Sequence, residues 1–279
     1  MQPITAEIVS RTIIKRPADS HKGNYGRVML IGGNQNFGGA IIMAATAATY
    51  SGAGLVTVAT DPSNFTSLHA RLPEAMVIDY HQTDTLLNML TGMDVIIIGP
   101  GLGTDTIADQ LLTAVIAATH APQRLVIDGS ALTLLAQQPR SLPVTDIVVT
   151  PHQMEWQRLS GIAIKDQTPT ANHDAQKRLG VTAVVKAHRT TVYTDERVWF
   201  NPGGTPAMAT GGMGDTLAGM IGGFVGQFDD FTAAILSAVY LHSAIADDLA
   251  ATRYVVLPHQ ISTRIPTYMH RFSQIERPS

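Results

Sequence analysis

The chain has 279 residues, 45% of them hydrophobic, with a formal net charge of −3 and only 15% charged residues. This is enough apolar material for a large core and too little positive charge to hold a nucleic-acid backbone or an anionic membrane. Cysteine is absent, which excludes disulfides, thiolate metal sites and a cysteine nucleophile, and fits a reducing cytoplasm. The amino-terminal MQPITAEIVSRTIIKRPADSHKG scatters its charges and has no apolar run of signal-peptide length. Apolar windows such as AIIMAATAAT run about ten residues against the roughly 20 that a membrane span needs. The expectation is a cytoplasmic protein that acts on small molecules, with no nucleic-acid or membrane partner.

In chain order, β-branched runs begin at Arg27 (RVMLIGG), Leu55 (LVTVAT), Ala75 (AMVIDY), Asp94 (DVIIIGPG), Arg124 (RLVIDG), Asp146 (DIVVTP) and Ala183 (AVVKA). Most are apolar throughout rather than alternating, as strands buried on both faces of a parallel sheet are. Helical stretches lie between them, including Ala40 to Tyr50, Thr106 to Thr119 and Ala131 to Gln137. Alternating strands and helices predict an α/β sandwich with crossover helices on both faces. TTVYTDERVWF then predicts a hairpin turning at Asp195-Glu196. Beyond it, Leu217, Met220, Ile221, Phe224 and Val225 fall at helical spacing, and DFTAAILSAVYLHSAIADDLA predicts a second apolar helix.

Glycines recur where strands end. IGGNQNFGGA follows the first predicted strand, GPGLGTD the fourth, and GGMGD precedes the late helix; in a parallel sheet these are the places where ligands collect. The glycines at 99, 101 and 103 do not match the dinucleotide fingerprint, because Thr104 stands where its third glycine belongs. No Gly-Lys-Ser/Thr triplet occurs, so there is no P-loop. In GGMGD, Gly211, Gly212 and Gly214 can turn successive amides towards one anion at a helix amino terminus, with Asp215 beside it as an acceptor of a hydroxyl proton. The plainer reading makes Asp215 a helix cap.

The stretches HKGNYGRVMLIGG, SGAGLVTVAT, PEAMV, IGPGLG, VIDGSAL, VVTPHQMEW, VVKAHRTTVY and MATGGMGDTLAGMIGGFV succeed one another between Lys22 and His242. In that order they resemble the ADP- or ATP-dependent NAD(P)H-hydrate dehydratase family of the ribokinase-like superfamily. The resemblance implies a three-layer α/β/α sandwich with a central, mostly parallel sheet, forming a single domain over residues 1–279. It implies a lyase in which a nucleotide phosphorylates the hydroxyl of a hydrated NADH or NADPH and loss of phosphate restores the double bond. Bacterial members of this form generally use ADP, so ADP is the expected donor, with ATP the other.

The resemblance makes Asp215 the catalytic acid-base group facing the substrate, and Gly214 a nucleotide-phosphate contact. Lys186, Ala187, His188, Arg189 and Thr190 match the nucleotide-binding loop, where many members have glycine at the place of Ala187. Ala40, Gly103 and His152 match contacts to the hydrated dinucleotide. The plainer readings are helix packing for Ala40, a tight turn for Gly103, a structural histidine at 152 and a solvated loop for His188 and Arg189. Glu155 resembles an acidic position that organises magnesium, and reads equally as a first-turn glutamate on the helix dipole. Where the family often has DADAL this chain has DGSAL, keeping Asp128 but replacing the second acid by Ser130, so metal ligands stay unassigned. Mg2+ itself is implied by phosphoryl transfer. The resemblance further implies a homotetramer and, because the pattern begins near Lys22, a hydrate epimerase on a separate chain. The competing readings are a ribokinase-like kinase of a small vitamin precursor and a nucleotide-binding regulator without catalysis.

Overall fold

Successive residues of a strand point to opposite faces, and the β-branched runs are apolar on both, so each strand feeds two cores. In the computed structural model, which describes residues 1–275, Val28 and Leu30 join one buried cluster while Met29 and Ile31 join the other; Val95 and Ile97 divide from Ile96 and Ile98 in the same way. The elements in chain order are β1 (Gln2–Pro3), α1 (Ala6–Thr12), β2 (Arg27–Ile31), α2 (Gly38–Tyr50), β3 (Leu55–Thr60), α3 (Phe65–Arg71), β4 (Met76–Asp79), α4 (Thr83–Leu90) and β5 (Val95–Ile98). They continue as α5 (Thr106–Ala118), β6 (Arg124–Ile127), α6 (Gly129–Gln137), β7 (Asp146–Val149), α7 (Gln153–Ser160), α8 (Pro169–Leu179), β8 (Thr182–Val185), β9 (Thr191–Tyr193), β10 (Val198–Phe200), α9 (Met213–Val225), α10 (Phe231–Ala250) and α11 (Pro258–Ser273).

The strands form one sheet in the order β1-β10-β9-β8-β7-β6-β5-β2-β3-β4, parallel throughout except for β9, which runs against both neighbours. Helices α1, α2, α9, α10 and α11 supply the core on one face, and α4 to α8 supply the core on the other. This is the expected three-layer α/β/α sandwich. The hairpin appears as β9 and β10, with Asp195-Glu196 in the turn. The two-residue β1, which pairs with β10, has no counterpart in the sequence reading, because a pair of residues carries no period.

Helix α10 is longer than the apolar windows read from the sequence. At 20 residues it has the length and composition to cross a membrane, yet 67% of its apolar window is buried in the protein core. Its apolarity is accounted for by packing against α9, α1 and α11.

Helix α9 lies unusually close to its neighbours, and glycine makes this possible. A Cβ on Gly219 would stand 2.0 Å from the Ala44 carbonyl oxygen of α2, and one on Gly222 would stand 2.2 Å from Ile97 of β5. The helix is thereby pressed between α2 and the sheet, which fixes where its amino terminus, and Asp215, meets the strand ends.

Candidate active site

The carboxyl ends of β2, β5, β6, β7 and β8 converge on the amino terminus of α9. Each loop there is locked to the next. The Gly103 N–H donates to Ser130 Oγ at 3.1 Å, tying the loop after β5 to the first turn of α6. Ser130, which reads in the sequence as a lost acid, therefore holds the backbone of a predicted substrate contact. Ala40 lies in the first turn of α2, against the same loop at Gly101. One strand further, Asp128 is 2% exposed, and its Oδ1 accepts from Thr150 Oγ1 at 2.6 Å and from Lys186 Nζ at 2.9 Å.

Pairing between β7 and β8 continues into the site, where the Lys186 N–H donates to the Pro151 carbonyl at 2.8 Å and His152 bridges to Lys186 in parallel register. His152 is the N-cap of α7. Its Nδ1 accepts from the Met154 and Glu155 amides, both at 3.2 Å, while Glu155 Oε2 accepts from the His152 amide at 2.8 Å. This is a reciprocal capping box. Because Nδ1 is an acceptor, the neutral ring carries its proton on Nε2. His152 thus has a structural nitrogen and a donor nitrogen on a half-exposed side chain, so its two sequence readings are compatible. Glu155 is accounted for as a first-turn helix acid by the same box.

Asp215 does not cap α9. The N-cap is Gly212, at φ 92°, with no side-chain cap bond. Only glycine takes that conformation without strain, and a Cβ there would meet Met43 Sδ at 2.3 Å. Asp215 stands on the third helical residue, free for other chemistry. Burial, reinforced by the Asp128 carboxylate and opposed by the Lys186 ammonium, pushes its carboxyl up to about 6. Burial also raises Glu155, against the pull of Lys186. For Lys186 burial acts downward, but the Asp128 and Glu155 carboxylates outweigh it and hold the ammonium above its ordinary value.

Lys186 Nζ lies 2.9 Å from where a Cβ on Gly214 would be, so the ammonium sits against the first turn of α9. Beside it opens a cavity of about 280 Å³ lined by Lys186, Ala187, His188 and Thr190, by Gly203 to Pro206 and Met208, and by Gly214, His242 and Ser243. Of the residues matched to the nucleotide loop, only the exposed Arg189 is absent from this lining. The sequence reading overlooked the segment after β10 and His242 of α10. A histidine and a serine side by side in an otherwise apolar helix were the available signal. His242 is 5% exposed and its Nε2 has no partner; burial, aided by the Lys186 charge, pushes it down to about 4, so it is neutral.

Among the described residues no three Asp, Glu or His side chains are grouped to cage a metal. Asp128, Glu155 and Asp215 surround Lys186, and Asp128 is already committed to two donors. Such a set suits an ion that is carried mainly by nucleotide phosphates and keeps its waters, as Mg2+ does.

A three-layer α/β/α sandwich on a mostly parallel sheet, with a glycine-led helix at its strand ends, is the fold of ribokinase-like proteins. A ribokinase-like protein from Enterococcus faecalis superposes with a TM-score of 0.96 at 52% identity, over 99% of this chain and 97% of that one. The match is narrower than the superfamily, because residues 28–267 fit the NAD(P)H-hydrate dehydratase family model. The chain belongs to this family. It is 94% identical over 278 residues, covering 100% of both chains, to an ADP-dependent (S)-NAD(P)H-hydrate dehydratase of Lactiplantibacillus plantarum. The ADP/ATP-dependent NAD(P)H-hydrate dehydratase of Bacillus subtilis, co-crystallized with ATP/Mg2+, has a TM-score of 0.86 at 29% identity over 97% of this chain and 98% of that one.

Proposed function

We propose that the chain is a single-domain, ADP-dependent (S)-NAD(P)H-hydrate dehydratase, a lyase that repairs hydrated NADH and NADPH. The observation that carries the mechanism is Asp215, half-buried on the first turn of α9 with its carboxyl raised to about 6. It is uncapped and lies next to both the Lys186 ammonium and the cavity. A carboxylate of that character is ionised at neutral pH and basic enough to accept a hydroxyl proton.

The nucleotide occupies the cavity between the loop after β8 and α10, through Lys186, Ala187, His188, Thr190 and Gly214, with Arg189 reaching in from its rim. Its terminal phosphate lies at the amino terminus of α9, where amides, helix dipole and Lys186 all favour an anion. The hydrated coenzyme lies along the ends of β2, β5 and β7, against Ala40 and Gly103, with the His152 Nε2–H as donor. Asp215 takes the proton of the ring hydroxyl as its oxygen bonds to phosphorus and AMP leaves. The ester's C–O bond then breaks, expelling phosphate, and loss of the neighbouring ring proton restores the double bond. Mg2+ would offset phosphate charge, and Asp128, Glu155 and Asp215 are the acids near enough to orient its waters. A homotetramer that works alongside a hydrate epimerase completes the reading and rests on the family resemblance.

The test is incubation of the purified chain with hydrated NADH, ADP and magnesium. Dihydronicotinamide absorbance should return, and Asp215→Asn should abolish the return while leaving ADP affinity nearly intact. No return with either ADP or ATP would overturn the assignment. A phosphorylated small alcohol as product would favour the vitamin-precursor kinase instead.

A further inference from the structure

Asp128, Thr150 and Lys186 each stand directly after a strand, and the strands β6, β7 and β8 are neighbours in the sheet. Their polar atoms form one relay across the strand ends, with Thr150 Oγ1 and Lys186 Nζ both donating to Asp128 Oδ1 at 2.6 and 2.9 Å. Thr150 is fully buried and Asp128 nearly so. A carboxylate this deep stays ionised only when it is paired and hydrogen-bonded. The partner ammonium is in an uncomfortable place, packed against the first turn of α9, where unpaired amides and helix dipole already present positive charge. A lysine stem free to choose would leave that position for solvent, since its side chain is flexible and its head strongly hydrated. Asp128 is the group that holds it there by direct contact.

We propose that Asp128, braced by Thr150, is the positioning residue that keeps the Lys186 ammonium at the α9 terminus as a preformed contact for the nucleotide's phosphate. This rests on the reading that Lys186 meets that phosphate and Asp215 is the base. Anchoring the ammonium beforehand removes the entropy of ordering it when the anion arrives. The relay also bears on Asp215. The charged groups that act on its carboxyl are Asp128 from the end of β6, Glu155 from α7 and Lys186 from the end of β8, the acids raising it and the lysine lowering it. Asp128→Asn therefore acts on Asp215 twice, by removing one acid and by releasing Lys186, and the two changes oppose each other.

The experiment is steady-state kinetics of the full chain on hydrated NADH with ADP for Asp128→Asn, Thr150→Val, Lys186→Met and the double variant Asp128→Asn/Lys186→Met. The KM for ADP should rise about tenfold in Asp128→Asn and further in Lys186→Met, as loss of one charge-assisted contact predicts. Thr150→Val should give a smaller rise. The double variant should have the KM of Lys186→Met alone, because Asp128 acts through the ammonium. A residue that only props the fold would add its own loss in the double variant. The proposal is overturned if Asp128→Asn keeps the native KM for ADP, or if the two effects on KM add. Should Asp128→Asn fail to fold, Thr150→Val decides, and an unchanged KM there overturns it. Lys186→Met with a native KM would remove the phosphate reading itself, whereas an impaired Lys186→Met beside intact Asp128→Asn and Thr150→Val would remove only the positioning role.

Discussion

Asp215 has a cost in stability beside the use in chemistry proposed for it. Its carboxyl ordinarily titrates at 3.8 and is raised to about 6 by the fold. The folded chain therefore holds a proton there that the unfolded chain releases, so stability falls as pH rises from about 4 to 6 and stays lower above that window. Asp215→Asn removes the penalty. The variant, although inactive, should melt a few degrees higher than the parent at neutral pH, at roughly 2–4 °C per kcal/mol, and the advantage should vanish as pH approaches 4. Thermal melts across pH would show this, and an equal difference at every pH would mean that burial does not strain the group. The GGMGD motif marked this residue in the sequence, but the same five letters were consistent with a cap. Its distance in sequence from Asp128, Glu155 and Lys186 hid the three charges that act with burial on its proton affinity.

At the scale of an element, α7 shows one side chain serving two ends. His152 caps the helix through Nδ1 and holds Nε2 3.5 Å from Glu155 Oε1, and the proposed function makes that Nε2–H a donor to the hydrate. Replacing it with alanine should cost about 1 kcal/mol through the lost cap and also raise the KM for the hydrate. His152→Asn should restore most of the melting temperature, because asparagine is a good N-cap, without restoring the KM. If Asn recovers both, the imidazole is a cap alone. Strand-end glycines and the β-branched runs before them could be read along the chain, since turns and periods are local properties. Glu155 could be read only as one of two alternatives, of which the first-turn acid is the one the capping box accounts for, and Ser130 could not be read at all, because its role depends on which loop lies above it.

For the whole molecule, the cavity proposed for the nucleotide is assembled from the loop after β8, the segment after β10, and helices α9 and α10. Binding should tie these segments together and resist unfolding by mass action. ADP at a hundred times its dissociation constant adds about 2.7 kcal/mol, a rise of roughly 5–10 °C in melting temperature. A calorimetric scan with and without ADP checks this, and no shift at millimolar ADP would show that the cavity is not the nucleotide's. The sequence by itself determined the alternation of strands and helices, the glycine-lined strand ends and the short roll of acids and bases near them. Each follows from local periodicity, backbone sterics or composition. Only the tertiary structure decided that Asp128 meets Lys186 across 58 residues, that Gly212 rather than Asp215 caps α9, and that His242 lines the cavity beside Lys186. Those outcomes depend on strand order and on how closely α9 packs, and both are set by burial summed over the whole chain, which no local window contains.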